Sequence, residues 1–380
     1  MTHYMSDVVV IGAGYAGAGA VVEGTKHDGI NLTWISADPH HEVKHEIHRV
    51  IRDPSIGDGL RLQTDEIVNG DARFVEGYVD GIDVRDQTVS LADGSGVQYD
   101  YLVVTVGAQT AFYGIPGLQE HAKVLERVAD AQSIHEDIIN ADVEPVRVVV
   151  GGAGLSGVQA TGELHELAEA EGIDLELTLV EALPDVMPKA SDSLRGRVKS
   201  LLEERDVTLS TGTPITEVDE DTIHLDESEP LPYDVLIWTG GIEGRAIDHG
   251  GELEDDRGRL VVDQQFRTSD ERVFALGDAA VIEQPDGIAP PTAQAAWQAA
   301  PAAMRNVAAT IEGRSLEKWT YEDKGTLVSV GDEAVAHDVN GIPFDTFGSL
   351  PAVTLKKLVA SRWIAQLSSW PRAMSVWRGL

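Results

Sequence analysis

The sequence contains no cysteine, and that absence removes several kinds of chemistry at once. Disulfides, thiolate metal sites and every redox mechanism that forms or breaks a thiol are excluded. Long hydrophobic runs are missing as well. No stretch of about 18 apolar residues occurs, so no helix is expected to span a bilayer. The chain enters an apolar strand almost at once, and no secretory signal is expected ahead of it. Positive charge is scarce: 29 Lys and Arg stand against 64 Asp and Glu, a formal net charge of −35. Such a surface repels nucleic acid. The acids are spread over expected helix faces and loops (Glu163, Glu166, Glu169, Glu171; Glu217, Asp219, Glu220, Asp221), as on a salt-adapted surface that stays soluble at high ionic strength. An ordinary acidic enzyme is the alternative. The length of 380 residues and a hydrophobic fraction of 42% allow a full core and two domains.

What is present begins with Val8-Val9-Val10-Ile11, an expected buried strand that runs into Gly12-Ala13-Gly14-Tyr15-Ala16-Gly17 and then a small-residue helix. In a Gly-x-Gly-x-x-Gly turn the glycines have separate tasks. Gly12 permits the bend, Gly14 lets backbone approach a pyrophosphate, and Gly17 lets helix and strand pack closely. The free N–H groups and positive end of the helix then face the phosphates. The pattern recurs at Val148-Val149-Val150-Gly151-Gly152-Ala153-Gly154-Leu155-Ser156-Gly157. The strand after this second copy ends in Glu181, where a carboxylate accepts from the ribose of a nicotinamide dinucleotide. The strand after the first ends in Ser36, which lacks charge assistance, with Asp38 as the other candidate. Two Rossmann units imply two dinucleotides, for which a hydride donor and a flavin are the usual pair.

A second internal repeat strengthens the first. Tyr99-Asp100, an apolar run, Thr105 and Gly107 are matched by Tyr233-Asp234, an apolar run, Thr239 and Gly240. Gly107 is a place for backbone to approach a cofactor. Phe274-Ala275-Leu276-Gly277-Asp278 supplies a carboxylate for a ribityl hydroxyl. Pro290-Pro291-Thr292-Ala293-Gln294 marks the start of an Ala-rich helix, which Pro301 is expected to kink. After the first strand–helix–strand unit comes a His-rich stretch, His40 to Arg49. His41, His45 and His48 have helical spacing, but no further ligand cluster accompanies them, and Lys44 and Arg49 intrude. The stretch is read as a polar segment beside a cofactor, with Lys44 available to it, and no metal is expected.

The two glycine motifs, the paired Thr-x-Gly strands, Phe274 to Asp278 and Pro290 to Gln298 together resemble the type II NADH dehydrogenases over most of residues 7–340. The most diagnostic part is Ala293-Gln294-Ala295-Ala296-Trp297-Gln298, which is similar to that family's Ala-Gln-x-Ala-x-Gln quinone signature. The resemblance implies FAD in the first unit, NADH in the second, and Gln294 and Gln298 at the flavin–quinone junction. Two positions depart from the family: Ser36 replaces an acid, and Gln159 stands where a glutamate serves as a possible proton relay near the flavin. Glutamine still hydrogen-bonds a quinone carbonyl or a nicotinamide amide.

The tail has its own composition. Residues 346–380 contain no Asp or Glu but carry Lys356, Lys357, Arg362, Arg372, Arg378 and three of the seven tryptophans. Leu355, Leu358, Val359, Trp363, Leu367 and Trp370 recur at helical spacing, giving one apolar face. Such a basic, Trp-bearing helix reads as an interfacial membrane anchor. Docking on the chain's own core or on a second copy, as in a homodimer, is the alternative.

These observations give an α/β fold of two Rossmann-like domains, the first discontinuous, with a C-terminal amphipathic helical tail. Residues 1–112 and 265–325 are assigned to FAD, 113–264 to NADH and 326–380 to interface and anchoring. The expected activity is NADH oxidation with two-electron transfer through FAD to a membrane quinone, without proton pumping, at the cytoplasmic face of the cell membrane. Alternatives are reduction of another acceptor such as ferredoxin, a quinone-linked flavoprotein that does not turn over NADH, or a redox-responsive binding protein. Sulfide:quinone and disulfide reductases need cysteine and are excluded.

Overall fold

The structure is a computed structural model that describes residues 5–285 and 287–380. Val8, Val9 and Val10 are buried, as expected for a strand covered on both faces. They form β1 (Ser6–Ile11), which turns into α1 (Tyr15–Gly24) and is followed by β2 (Ile30–Ser36), β3 (Arg73–Glu76) and β4 (Tyr101–Val104). The first sheet runs Val273–Ala275, β4, β1, β2, β3, with every pairing parallel. Its edge strand therefore comes from a part of the chain far beyond the rest.

The second unit repeats this plan with β5 (Val146–Gly151), α2 (Leu155–Glu171), β6 (Leu175–Glu181), β7 (Thr208–Thr211) and β8 (Val235–Trp238). The order is Lys123–Val124, β8, β5, β6, β7, again all parallel. Each sheet thus places its glycine turn at the carboxyl end of a central strand, beside the point where strand order reverses. Ligands bind α/β sheets at that point.

The rest of the chain is α3 (Ala293–Ile311), a three-stranded antiparallel sheet of β9 (Thr326–Val330), β10 (Glu333–His337) and β11 (Thr346–Gly348), then α4 (Ser349–Leu367) and α5 (Trp370–Val376). Small residues let α3 lie close on α1: a Cβ at Gly19 would meet the Ala300 methyl, and one at Gly24 would meet Met304. α3 does not end at Pro301 but continues through it to Ile311. Buried Ala302, Ala303 and Met304 follow directly, so packing holds the helix past the missing N–H.

Three expectations fail in physically instructive ways. His41 and His45 share no helix face, because His41 lies in the strand His40–Glu42 and His45 in a 3-10 turn. Glu163 is not a surface acid; it is fully buried beside Arg49 and Arg52. The apolar residues of the tail do not form a single face either. Trp363 and Leu367 point into the core with Lys356, Ala360 and Ile364, while Leu358, Val359 and Trp370 stay exposed. Tertiary contacts, not periodicity, decide which side turns inward.

Trp363 fixes α4 to the first domain. Its ring lies 5.1 Å from that of Tyr15, 5.7 Å from His41 and 4.7 Å from Trp297. Its indole N–H donates to His41 Nε2 at 2.9 Å. Trp363→Ala is expected to lower unfolding free energy by about 3–5 kcal/mol in denaturant titration. A loss under about 1 kcal/mol would show that α4 is not part of the core.

Candidate functional site

Both glycine turns are held by the same set of contacts. Thr105 Oγ1 donates to the Ile11 carbonyl at 2.6 Å and lies 3.5 Å from that of Gly12. Thr239 Oγ1 lies 3.1 Å from the Gly151 carbonyl and 2.9 Å from that of Gly152. At the other end of each strand pair, Asp100 accepts from the Asp7 N–H and Asp234 from the Arg147 N–H, both at 2.8 Å. The Asp and Thr of the internal repeat therefore pin two ends of one strand pair in each domain. Gly12 and Gly152 sit at φ of +107° and +94°, where only glycine is comfortable. A Cβ at Gly17 or Gly157 would overlap the carbonyl of Gly12 or Gly152.

The middle glycines differ. An added Cβ at Gly14, Gly107 or Gly154 would enter open space. α1 and α2 start at Gly14 and Gly154 with no side-chain cap, so their first N–H groups remain free for an anion. This is the cradle a pyrophosphate requires, and both units have it.

In the first unit the cradle opens into a cleft that is partly open to solvent. Gly12, Gly14, Ser36, Asp38, Lys44, Gly107, Asp278 and Ala293 all line it, with Tyr15, Arg127 and Arg245 among the others. Gly17 stands behind the turn and supports it. Ser36 Oγ accepts from the Asp38 N–H at 3.3 Å, and the Asp38 carboxylate pairs with Arg127 at 3.0 Å. Burial pushes the Asp278 carboxyl up from its ordinary range, against the opposing pull of Arg259 and Lys44. The Asp278 side chain has no hydrogen-bond donor among the described residues, so a hydroxyl-bearing ligand suits it. Thr292 caps α3 by accepting from the Ala295 N–H at 3.2 Å, and Ala293 and Ala296 bring that helix start to the cleft wall.

In the second unit Glu181 is partly engaged by backbone. One carboxylate oxygen accepts from the Ala153 N–H at 2.8 Å and the other from the Leu183 N–H at 2.9 Å. Both oxygens keep lone pairs for a ribose. Gly240 has a structural reason of its own, since a Cβ there would run into the Trp238 indole.

Gln294 and Gln298 do not line the first cleft. Gln294 accepts from the Tyr321 hydroxyl and the Lys324 N–H, each at 2.9 Å, and donates to the Gly325 carbonyl at 3.1 Å. Gln298 donates to the Glu322 carbonyl at 2.8 Å. Both side chains hold segment 321–325 against α3. Gln159 is buried in α2, and its amide donates to the His48 ring at 2.7 Å.

Gln159 belongs to a buried cluster that pattern reading did not reveal. Lys356 Nζ lies 3.1 Å from each of Glu46 Oε2, His48 Nε2 and Ser329 Oγ. Arg49 Nε donates to Glu46 Oε2 at 2.7 Å, and Arg52 Nε lies 3.0 Å from Glu163. Burial raises the Glu46 carboxyl, but Lys356 and Arg49 outweigh it and hold Glu46 below its usual range. For Glu163 burial wins, and the carboxyl is pushed up to about 7. Burial pulls Lys356 down to about 8, and burial with the Lys356 charge keeps His48 neutral. Among the described residues no group of His, Cys, Asp and Glu is arranged to hold a metal.

Residues 6–305 match the pyridine nucleotide-disulphide oxidoreductase family. A Type II NADH:quinone oxidoreductase of Staphylococcus saprophyticus is 29% identical over 95% of each chain, and one from Staphylococcus aureus is 28% identical over the same shares. A solved structure of NDH2 from Plasmodium falciparum in complex with NADH superposes with a TM-score of 0.82 at 15% identity, covering 98% of this chain and 97% of that one. A sulfide:quinone oxidoreductase from Aquifex aeolicus does so with a TM-score of 0.82 at 17% identity, over 95% and 91%.

The open cradles give a direct test. Gly14→Val is expected to leave unfolding of the ligand-free protein within about 1 kcal/mol of the parent while reducing retained flavin at least about tenfold. Gly154→Val should leave the flavin in place and weaken NADH by a similar factor in fluorescence titration. Equal loss of both ligands in either variant would show that the cradles are not separate sites.

Proposed function

The chain belongs to the pyridine nucleotide-disulphide oxidoreductase family, and from that premise we infer that it oxidises NADH and delivers two electrons by way of FAD to a quinone. The observation that carries this reading is the pair of open glycine cradles in a chain without a single cysteine. Disulfide and sulfide chemistry are thereby closed, while the relatives that match 95% of the chain are NADH:quinone oxidoreductases.

FAD, when bound, supplies the two-electron redox chemistry. The residues of the first cleft fit such a group. The α1 N–H groups behind Gly14 take its pyrophosphate, Asp278 takes a ribityl hydroxyl, Ser36 and Asp38 take the adenosine ribose, and the capped start of α3 offers positive dipole to its ring edge. Residues 1–112 and 265–325 form the FAD unit, 113–264 the NADH unit and 326–380 the interface region. Gly152, Gly154 and Gly157 admit the NADH phosphates, and Glu181 accepts from the ribose while repelling a 2′-phosphate. Gln294 and Gln298 act on the quinone side by shaping segment 321–325 rather than by direct contact.

The C-terminal face supports peripheral attachment to a membrane, at the cytoplasmic side where NADH is available. Leu350 is 75% exposed, Trp370 60% and Met374 57%. Among the described residues no helix is long and apolar enough to cross a bilayer. A second copy of the chain is the competing occupant of this face.

Anaerobic NADH is expected to bleach the bound flavin's visible absorbance, and a short-chain quinone to restore it. Absence of bleaching would overturn the nicotinamide assignment. Leu350→Glu with Trp370→Glu is expected to reduce co-sedimentation with anionic vesicles at least about tenfold. An unchanged vesicle fraction with a change from dimer to monomer would assign the face to a second copy.

A further inference from the structure

On the reading that the acceptor is a quinone, we propose that a chain of contacts running from buried Lys356 through Glu46 and the partly buried His45 to Tyr15 delivers a proton to the cleft during quinone reduction. The stoichiometry requires such a source. NADH, quinone and one proton give NAD⁺ and quinol. The hydride brings two electrons and one proton, and the second proton has to come from the protein or from water.

The geometry joins the cleft to a protonated store. Tyr15 follows Gly14 directly and lines the cleft, and its hydroxyl is hydrogen-bonded to His45 Nδ1. On the far side of the ring, His45 Nε2 faces Glu46 Oε1 at 3.8 Å. Both atoms are buried, and among the described residues neither has a hydrogen-bond partner. An unsatisfied pair of this kind is costly to bury. It is what a relay needs, with one proton to share between two acceptors. Glu46 Oε2 then accepts from Lys356 Nζ at 3.1 Å.

In transfer the Tyr15 O–H bond breaks as its proton passes to an acceptor oxygen in the cleft. The phenol oxygen regains a proton from His45 Nδ1, His45 Nε2 takes one by way of Glu46, and the Lys356 N–H bond breaks last. No electron moves along the chain. Lys356 is left neutral until solvent reprotonates it. The groups facing Lys356 are His45, Glu46, His48 and Arg49 from segment 45–49, Glu163 from α2 and Ser329 from β9. Arginine stays protonated throughout, which leaves Lys356 as the cation able to give up a proton near neutrality.

The test uses the flavin-loaded protein with two acceptors, a short-chain quinone that takes protons and ferricyanide that takes only electrons. His45→Phe and Lys356→Met are each expected to lower the quinone-dependent kcat at least about tenfold while leaving the ferricyanide rate within about twofold of the parent. The parent's quinone rate should fall as pH rises through about 8, where Lys356 loses its proton, and that limb should vanish in Lys356→Met. In the resting protein, Glu46→Gln should move the His45 ring resonances in ¹⁵N spectra. Equal losses with both acceptors, or an unchanged quinone rate in both variants, would overturn the relay alone. Failure of the parent to reduce any quinone, with ferricyanide still reduced, would instead overturn the quinone reading on which it rests.

Discussion

The whole arrangement depends on how closely each glycine turn lies against the next strand. Thr105 and Thr239 bond to turn carbonyls, and the missing side chains of Gly17 and Gly157 let the helix start settle onto those same carbonyls. Because the carbonyls are taken up from behind, the N–H groups of the helix start are what remains in front. A helix start capped by glycine is less stable than one with a good side-chain cap by only about a few tenths of a kcal/mol. Both turns accept that loss, and a bound phosphate reverses it. Anion binding is thus built into the backbone before any side chain contributes.

The buried ionic cluster obeys a different logic. Ion pairs away from water are weak evidence for stability, because desolvation offsets much of the attraction. Here Glu46, Arg49 and Arg52 come from one domain, Glu163 and Gln159 from the other, and Lys356 from α4; Glu46 and Arg49 pair locally, but Glu163 and Lys356 find their partners only when the parts are assembled. Removing one member leaves an uncompensated charge. The cluster therefore specifies how the parts assemble more than it strengthens the assembly.

What was legible in the sequence is what depends on short stretches of chain. Gly12, Gly14, Gly17 and their second copies, Glu181, and the Tyr-Asp to Thr-Gly repeat declare themselves because each motif has a local geometric cause. Asp278 at a strand end, Ala293 at a helix start and Lys44 in the polar stretch after the first unit are likewise marked by their local setting, and all three line the cleft. Glu163 was misread as solvated because it sits in a run of acids on α2, and only Arg52, far away in the chain, explains its burial. Lys356 was misread as a lipid-facing cation for the same reason, its partner Glu46 being remote. Gln294 and Gln298 stand out only through the resemblance of Ala293 to Gln298 to a family signature, which does not show that both side chains turn toward segment 321–325. Thr105 was noticed as part of a repeat, but its bonds to the turn required the fold.

The corrected placement of the tail cations changes what kind of surface the C-terminal face is. Lys356 is buried, and Arg372 is taken up by the carbonyls of Asp58 and Arg61 at 3.3 and 3.0 Å. That leaves Lys357, Arg362 and Arg378 to meet an anionic surface, on a molecule whose formal charge is −35. At about 0.15 M salt the screening length is near 8 Å, so distant acids count for little, but three partly exposed cations give only about 1 kcal/mol each. At about 1 M the length falls to about 3 Å and even that contribution fades. Exposed Leu350, Trp370 and Met374 are indifferent to screening, and burying a large apolar side chain contributes about 1.5–3 kcal/mol. On the membrane reading proposed above, attachment through this face would be hydrophobic in origin, and salt that abolishes electrostatic docking would leave it intact.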